Sequence, residues 1–145
     1  MVCCRGTRSL DRYAQIWNTI VIETGNNEIT IFGTEDSVVL KTWDYENVST
    51  DDGHSSKRSN IKTENLKISK LETDSIYAWA SNLVKHFELP KVFCTDYVRY
   101  LKVTIQYAGQ VKQSCEYNSI CEWKDLTKDT QKLDRLLRRK FGEFE

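Results

Sequence analysis

The chain has few of the residues that usually carry out catalysis or hold metal ions. It contains only two histidines, His54 and His86, a single proline, and no glycine-rich phosphate loop. His86 has no carboxylate, cysteine or histidine at the helical spacings of three and four, so nothing near it in the sequence would orient its ring or share a metal. His54 lies in a Gly- and Ser-rich stretch typical of solvated surface. We therefore predict no metal and no cofactor, and a binding role rather than an enzymatic one.

A net charge and long apolar runs are also missing. The 145 residues carry 21 basic and 21 acidic side chains, whereas a dedicated nucleic-acid binder usually has a basic excess, so a nucleic-acid partner is not favoured. No apolar run reaches the ~18 residues that a membrane helix needs, so no membrane partner is expected. This length and a hydrophobic fraction of 39% predict one globular domain.

The cysteines form no metal-binding pattern, and their number is odd, so they cannot all be paired in disulfides within the chain. There are five of them, and residues 1–10 lack the apolar core of a secretory signal. We therefore expect free thiols and a cytoplasmic location. Residues 1–12, which include Cys3 and Cys4, are polar and basic, and they predict a flexible N-terminus ahead of a single domain over 13–145.

Alternating apolar residues predict an antiparallel sheet and two helices. Two strands at 16–22 and 28–32 are joined by turn residues, which indicates a hairpin. The other predicted strands are 37–43, 65–69, 100–107 and 111–117, the last extending through 118–123 past a bulge. The predicted helices are 73–89, capped by Thr73, and 128–141, capped by Thr127. The fold class is therefore α+β, with a sheet of five to six strands, two helices on one face, and the order β-β-β-(β)-α-β-β-α.

Residues 44–59 are the most polar stretch, and we predict a long exposed loop there. Two large aromatic residues and four acidic residues lie in or beside it. Aromatic anchors surrounded by charge of one sign are typical of protein interfaces. The alternative is that Trp43 ends a core strand and the acids are merely solvated. The predicted partner-binding residues are Trp43, Asp44, Tyr45, Glu46, Asp51 and Asp52.

Two other functions stay open from the sequence. Arg135, Arg138, Arg139 and Lys140 crowd the end of the last predicted helix and could contact phosphates, which makes a nucleic-acid-associated module one alternative. Cys94, in a predicted loop before Thr95 and Asp96, makes a small thiol enzyme the other, provided that a nearby cation lowers its pKa.

In its layout the chain resembles the small immunity proteins that neutralise bacterial toxins. The resemblance covers the whole chain and rests on size, compartment, the hairpin at 16–32, the helix at 73–89 and the lack of a catalytic set. It implies a tight complex with a protein partner such as a toxin domain. In that complex this chain would block the active site of the partner or another surface that the partner requires. Many such toxins are basic nucleases, which would suit the acidic residues between 44 and 52. The neutral total charge departs from the highly acidic nuclease inhibitors.

Overall fold

The computed structural model describes residues 18–86, 94, 99–107 and 110–142. Within these ranges there is one sheet and there are two helices. The helices are α1 (Lys70–Lys85) and α2 (Lys128–Phe141), and a short 3-10 turn at Trp123–Asp125 leads into α2. The strands are β1 (Asn18–Thr24), β2 (Asn27–Phe32), β3 (Ser37–Thr50), β4 (Gly53–Lys67), β5 (Arg99–Tyr107) and β6 (Gln110–Ile120).

The six strands lie in the order β4-β3-β2-β1-β5-β6, and every neighbouring pair is antiparallel. The first four strands form a meander. The β5–β6 hairpin then adds to the free side of β1, where Ile20 pairs with Ile105 and Ile22 with Val103. The predicted α+β fold with an antiparallel sheet is confirmed.

The core lies between the helices and one face of the sheet. Alternate strand residues such as Ile22, Ile29 and Val103 are fully buried on that face. Ile76 of α1 and Leu137 of α2 are buried in the same hydrophobic cluster. The opposite sheet face, which carries Glu23, Tyr100 and Lys102, is called the outer face below.

The helix caps show which polar residues set the helix ends. Ser69 caps α1: its hydroxyl accepts from the backbone N–H of Glu72, whose carboxylate accepts from the backbone N–H of Ser69. The predicted start at Thr73 is therefore three residues late, and Thr73 lies inside the first turn. The predicted range 128–141 of α2 and its cap Thr127 are confirmed. The predicted flexible N-terminus at 1–12, the start of the predicted strand at 16–22 and the end of the predicted helix at 87–89 lie outside the described residues.

The predicted loop at 44–59 is instead a β-hairpin. The pairs run from Asp44 opposite Ser59 to Thr50 opposite Gly53, and a two-residue turn joins the strands. The same pairing extends β4 from the predicted short strand at 65–69 to Gly53–Lys67. The sequence shows no apolar alternation here because neither face of this hairpin is buried. We call residues 44–59 the arm.

The cysteines differ from the prediction of free thiols. Cys94 and Cys121 form a disulfide with their Cα atoms 5.1 Å apart, so the prediction is wrong for these two residues. Cys115 is free, as predicted, and is buried on β6, where burial raises the pKa of its thiol to about 11. Neither described helix is long and apolar enough to cross a bilayer.

Candidate functional site

The arm extends away from the rest of the sheet. The pairing of β2 with β3 ends at Asn27 opposite Thr42, so β3 continues beyond its neighbour with only β4 beside it. The seven residues from 44 to 50 span about 20 Å at about 3.3 Å per residue. All of them are exposed, as are most residues on the β4 side. The arm is therefore a two-stranded ribbon that buries little apolar surface of its own.

Trp43 anchors the base of the arm. It is 4% exposed, and its indole Nε1 donates to the carbonyl oxygen of Gly25 at 3.1 Å. Its backbone N–H donates to the carbonyl of Asn26, also at 3.1 Å. A buried tryptophan needs such a partner for its N–H. Trp43 therefore ties the arm to the β1–β2 turn and leaves little of its own surface exposed.

Tyr45 is the exposed aromatic residue at this base. Half of its surface is accessible, yet its hydroxyl donates to the same Gly25 carbonyl at 2.9 Å. One carbonyl oxygen with two lone pairs thus accepts from both aromatic residues. The ring of Tyr45 is held in place while part of it stays available for contact.

Arg58 lies across both aromatic residues from the neighbouring strand. Its guanidinium is 4.0 Å from the centroid of the Trp43 ring, within the range of a cation–π contact. It also donates to a carboxylate oxygen of Glu23 at 2.6 Å. Burial opposes the charge of Arg58, but the hydrogen bonds to Glu23 and Tyr45 hold its pKa above the usual value. The cation therefore joins the arm to β1.

A bulge at Asn60 places Arg58 on this face. The pairing shifts between Thr42 and Asp44, so that Asn60 and Ile61 of β4 lie opposite Trp43 alone. Asn60 has a φ of +50°, in the left-handed region that asparagine tolerates better than most residues. One extra residue reverses the alternation of a strand. Without it, Arg58 would point to the opposite face from Trp43.

The four acidic residues predicted for the site are all exposed and lie on the β3 side and the tip of the arm. Asp51 and Asp52 form the turn. Asp44 accepts a hydrogen bond from the Asn60 amide at 3.0 Å, and Glu46 lies opposite Lys57. The structure thus brings the acids onto one ribbon but separates them from Trp43, which is buried.

The residues that hold the base of the arm together were not among those predicted for the site. Glu23, Gly25 and Asn60 carry its contacts, and no local signal could have found the first two because they lie 35 and 20 positions from Arg58 and Tyr45. The polar pair Ser59-Asn60 before Ile61 was the only available sign of a bulge.

Tyr100 lies on the outer face between Glu23 and Glu116. Burial, and then the nearby carboxylates of Glu23 and Glu116, raise the pKa of Tyr100 to about 12. Lys102 pairs with Glu116 at 3.8 Å beside it. This face therefore carries mixed, largely compensated charge, in contrast to the acidic tip of the arm.

The basic end of α2 is occupied by contacts within the chain. Arg138 bonds to Asp134 at 2.8 Å, while Arg139 and Lys140 contact Glu72 at 3.3 and 2.9 Å. The hydrogen bond from Lys140 is the largest of the causes that lower the pKa of Glu72 to about 2. Arg139 and Lys140 thereby join α2 to α1, whereas the contact of Arg138 lies within α2 and Arg135 is exposed.

The described residues contain no group of three or more His, Cys, Asp or Glu side chains placed to hold a metal ion. Cys94 is in a disulfide, so it has no thiolate to act as a nucleophile in this structure. His54 has Ser49 as its neighbour, with Nδ1 3.5 Å from the hydroxyl. His86 caps the end of α1.

Comparisons with known proteins add no family to this geometry: no family model matches the chain, and neither a curated protein nor a solved structure matches it significantly.

Proposed function

We propose that this protein is a non-catalytic protein-binding domain, and that it acts as an immunity or inhibitor protein that neutralises a cognate toxin or enzyme by direct complex formation. The arm is the observation that carries this proposal. It is an ordered, exposed ribbon anchored by Trp43 and Arg58 at its base.

The low burial of the arm supports a role in binding. A two-stranded ribbon on its own is at best marginally stable in water, and the distal residues of the arm contribute no side chain to the core. The contacts of its base nevertheless hold it in a defined direction. A ribbon whose direction is fixed at its base can enter a cleft of another protein with less loss of conformational entropy than a free loop.

The chemistry of the arm favours a protein partner with basic surface. Asp51 and Asp52 lie at the tip of the arm, and Asp44 and Glu46 lie along β3. Tyr45 exposes aromatic surface at the base. Complementary charge speeds encounter, while an aromatic anchor contributes affinity. An active-site cleft that binds an anionic substrate would present such a basic surface, and the arm would block it.

The cytoplasmic location expected from the sequence belongs to the same proposal. The disulfide between Cys94 and Cys121 counts against a reducing compartment, where such bonds are rare. Alkylation of free thiols in intact source cells, followed by mass spectrometry, decides between a cytoplasmic location and an oxidising compartment. A cytoplasmic protein should carry both residues in the alkylated form.

The proposed function is tested by crosslinking from the tip. A photoreactive amino acid replaces Asp52, and the matched control carries it at Leu71, which is 77% exposed at the start of α1. We expect Asp52 to crosslink one protein in source cells, and that protein should lose its activity or toxicity when the wild-type chain is added. Equal crosslinking from both positions, or a captured protein whose activity is unchanged, would refute the proposal.

A further inference from the structure

The arm has a free backbone edge on its β3 side. The N–H of Trp43 donates to Asn26, on the side of β3 where β2 lies. In a strand, the N–H and C=O of one residue point the same way, and successive residues alternate between the two sides. The backbone groups of Tyr45, Asn47 and Ser49 therefore point to the β2 side, beyond the point where β2 pairing ends. Among the described strands, none pairs with this edge.

The two edges of the arm differ in their protection. On its β4 side the arm carries the cations Lys57 and Arg58, and charge on an edge strand, lysine above all, commonly prevents unwanted pairing. The β3 segment from 44 to 50 has neither lysine nor proline. Its charged side chains are Asp44 and Glu46, so this edge repels acidic strands and attracts basic ones.

We infer that the edge formed by residues 44–50 accepts an extended, basic segment of the partner as an additional β-strand. This inference rests on the proposed function and names how the arm would hold its partner. Lysine or arginine at alternate positions of the added strand would lie beside Asp44 and Glu46, which share one face of the ribbon with Val48. On the other face Tyr45 supplies apolar contact. Cross-strand pairs of opposite charge stabilise such an arrangement.

A second copy of this chain is a poorer occupant of the edge. Pairing two β3 edges would bring the carboxylates of Asp44 and Glu46 close to those of the second copy, and like charges on adjacent strands are destabilising. The β4 edge of a second copy has the complementary charge, but a contact between β3 of one copy and β4 of the next is head-to-tail and builds open chains rather than a closed dimer. The acidic edge therefore selects a different chain with basic residues.

The test uses a substitution that removes only an outward N–H. Asn47→Pro deletes the N–H that points away from β4 and leaves the β3–β4 ladder intact, while the control Asn47→Thr keeps it. The probe is a synthetic peptide of about seven residues that alternates lysine and threonine, because this length matches the free edge. We expect Asn47→Pro to weaken peptide binding about tenfold or more, and Asn47→Thr to change it little.

Two further measurements separate strand addition from simple charge attraction. The same peptide methylated on alternate backbone nitrogens keeps its charge but cannot pair, and it should bind as weakly as an acidic peptide. Amide hydrogen exchange of the wild-type chain needs no variant: the amides of Tyr45, Asn47 and Ser49 should exchange rapidly without peptide and slowly with it. The amides of Glu46 and Val48, which point to β4, serve as the internal control.

The inference is overturned if the peptide does not bind, or if Asn47→Pro or backbone methylation leaves its binding unchanged. It is also overturned if those three amides are already protected at concentrations where the chain sediments as a dimer, because a second copy would then occupy the edge. The proposed function fails separately, through the crosslinking from Asp52. A partner that crosslinks there and binds Asn47→Pro normally would refute strand addition alone.

Discussion

The guanidinium of Arg58 lies 4.0 Å over the ring of Trp43, so a cation from β4 covers the aromatic anchor of β3. The same cation contacts Glu23 on β1, which is three strands away from β4 in the sheet. Glu23 thereby connects the base of the arm to the centre of the sheet. Substitutions at these residues should therefore affect the stability of the chain as well as its binding.

Replacing Arg58 tests the contact between the arm and the sheet. We expect Arg58→Ala to lower the free energy of unfolding by about 1 kcal/mol, because a partly exposed cation–π contact and a screened ion pair are lost. Lys57→Ala is the matched control on the opposite face of β4, with an expected change within about 0.5 kcal/mol. Both are measured by denaturant titration. Equal effects of the two variants would contradict a structural role for Arg58.

Trp43 should act as the buried anchor of the arm. Trp43→Ala should lower the free energy of unfolding by about 3–5 kcal/mol, because it leaves a cavity and removes the bond to Gly25. Any loss of binding in this variant would reflect a disordered arm. Tyr45→Ala, which removes an exposed ring, should cost far less and should weaken the partner complex directly. Thermal unfolding of both variants, followed by binding assays on the folded one, checks this; a fully stable Trp43→Ala variant would refute it.

The bulge can be tested through the backbone of Asn60. Asn60→Ala and Asn60→Gly both lose the hydrogen bond to Asp44, so their difference isolates the left-handed conformation. We expect the alanine variant to be about 1 kcal/mol less stable than the glycine variant. Urea unfolding of the pair gives the difference directly. An alanine variant as stable as the glycine variant would mean that the bulge is absent in solution.

The pH dependence of stability should report on Glu72. Its pKa of about 2 in the folded chain lies below the usual 4.5, so its contribution is present above about pH 4.5 and is lost as the pH falls towards 2. Glu72→Gln should cost about 1–2 kcal/mol at neutral pH, discounted because Arg139 is exposed, and should flatten the acid limb of the stability curve. Glu64→Gln, an exposed carboxyl on β4, is the control and should leave that limb unchanged.

The disulfide should stabilise the chain by about 3.5 kcal/mol, since Cys94 and Cys121 are 27 positions apart. A Cys94→Ser and Cys121→Ser double variant, compared with the wild-type chain with and without reductant, measures this contribution. The variant should be insensitive to reductant. Fast alkylation of Cys94 in the purified, unreduced protein would contradict the pairing and restore the thiol-enzyme hypothesis.

Much of the fold follows from local patterns. The alternation of Leu101, Val103 and Ile105 predicted the strand, and all three side chains are buried on its core face. Thr127 before Lys128 predicted the start of α2 because a hydroxyl at this position accepts from the first free N–H groups. At α1 two hydroxyl residues compete, and Ser69 caps the helix because Glu72 completes a capping box with it.

The site was only partly predictable. The sequence pointed to the segment that forms the arm, and it placed Tyr45 and the acids in an exposed stretch. It could not show that residues 44–59 pair, because a hairpin covered on neither face has no reason to alternate apolar and polar side chains. It also left open whether Trp43 was exposed, since the groups that bury it come from other strands.

The sequence by itself determined the fold class, the positions of most strands and the cap of α2, because these depend on periodicities and contacts within a few residues. The tertiary structure alone decided the rest. It paired Cys94 with Cys121, turned Arg58 onto Trp43 through the bulge at Asn60, and left one edge of the arm without a neighbour. Each of these depends on which distant strands meet and in which register, and no local pattern encodes that.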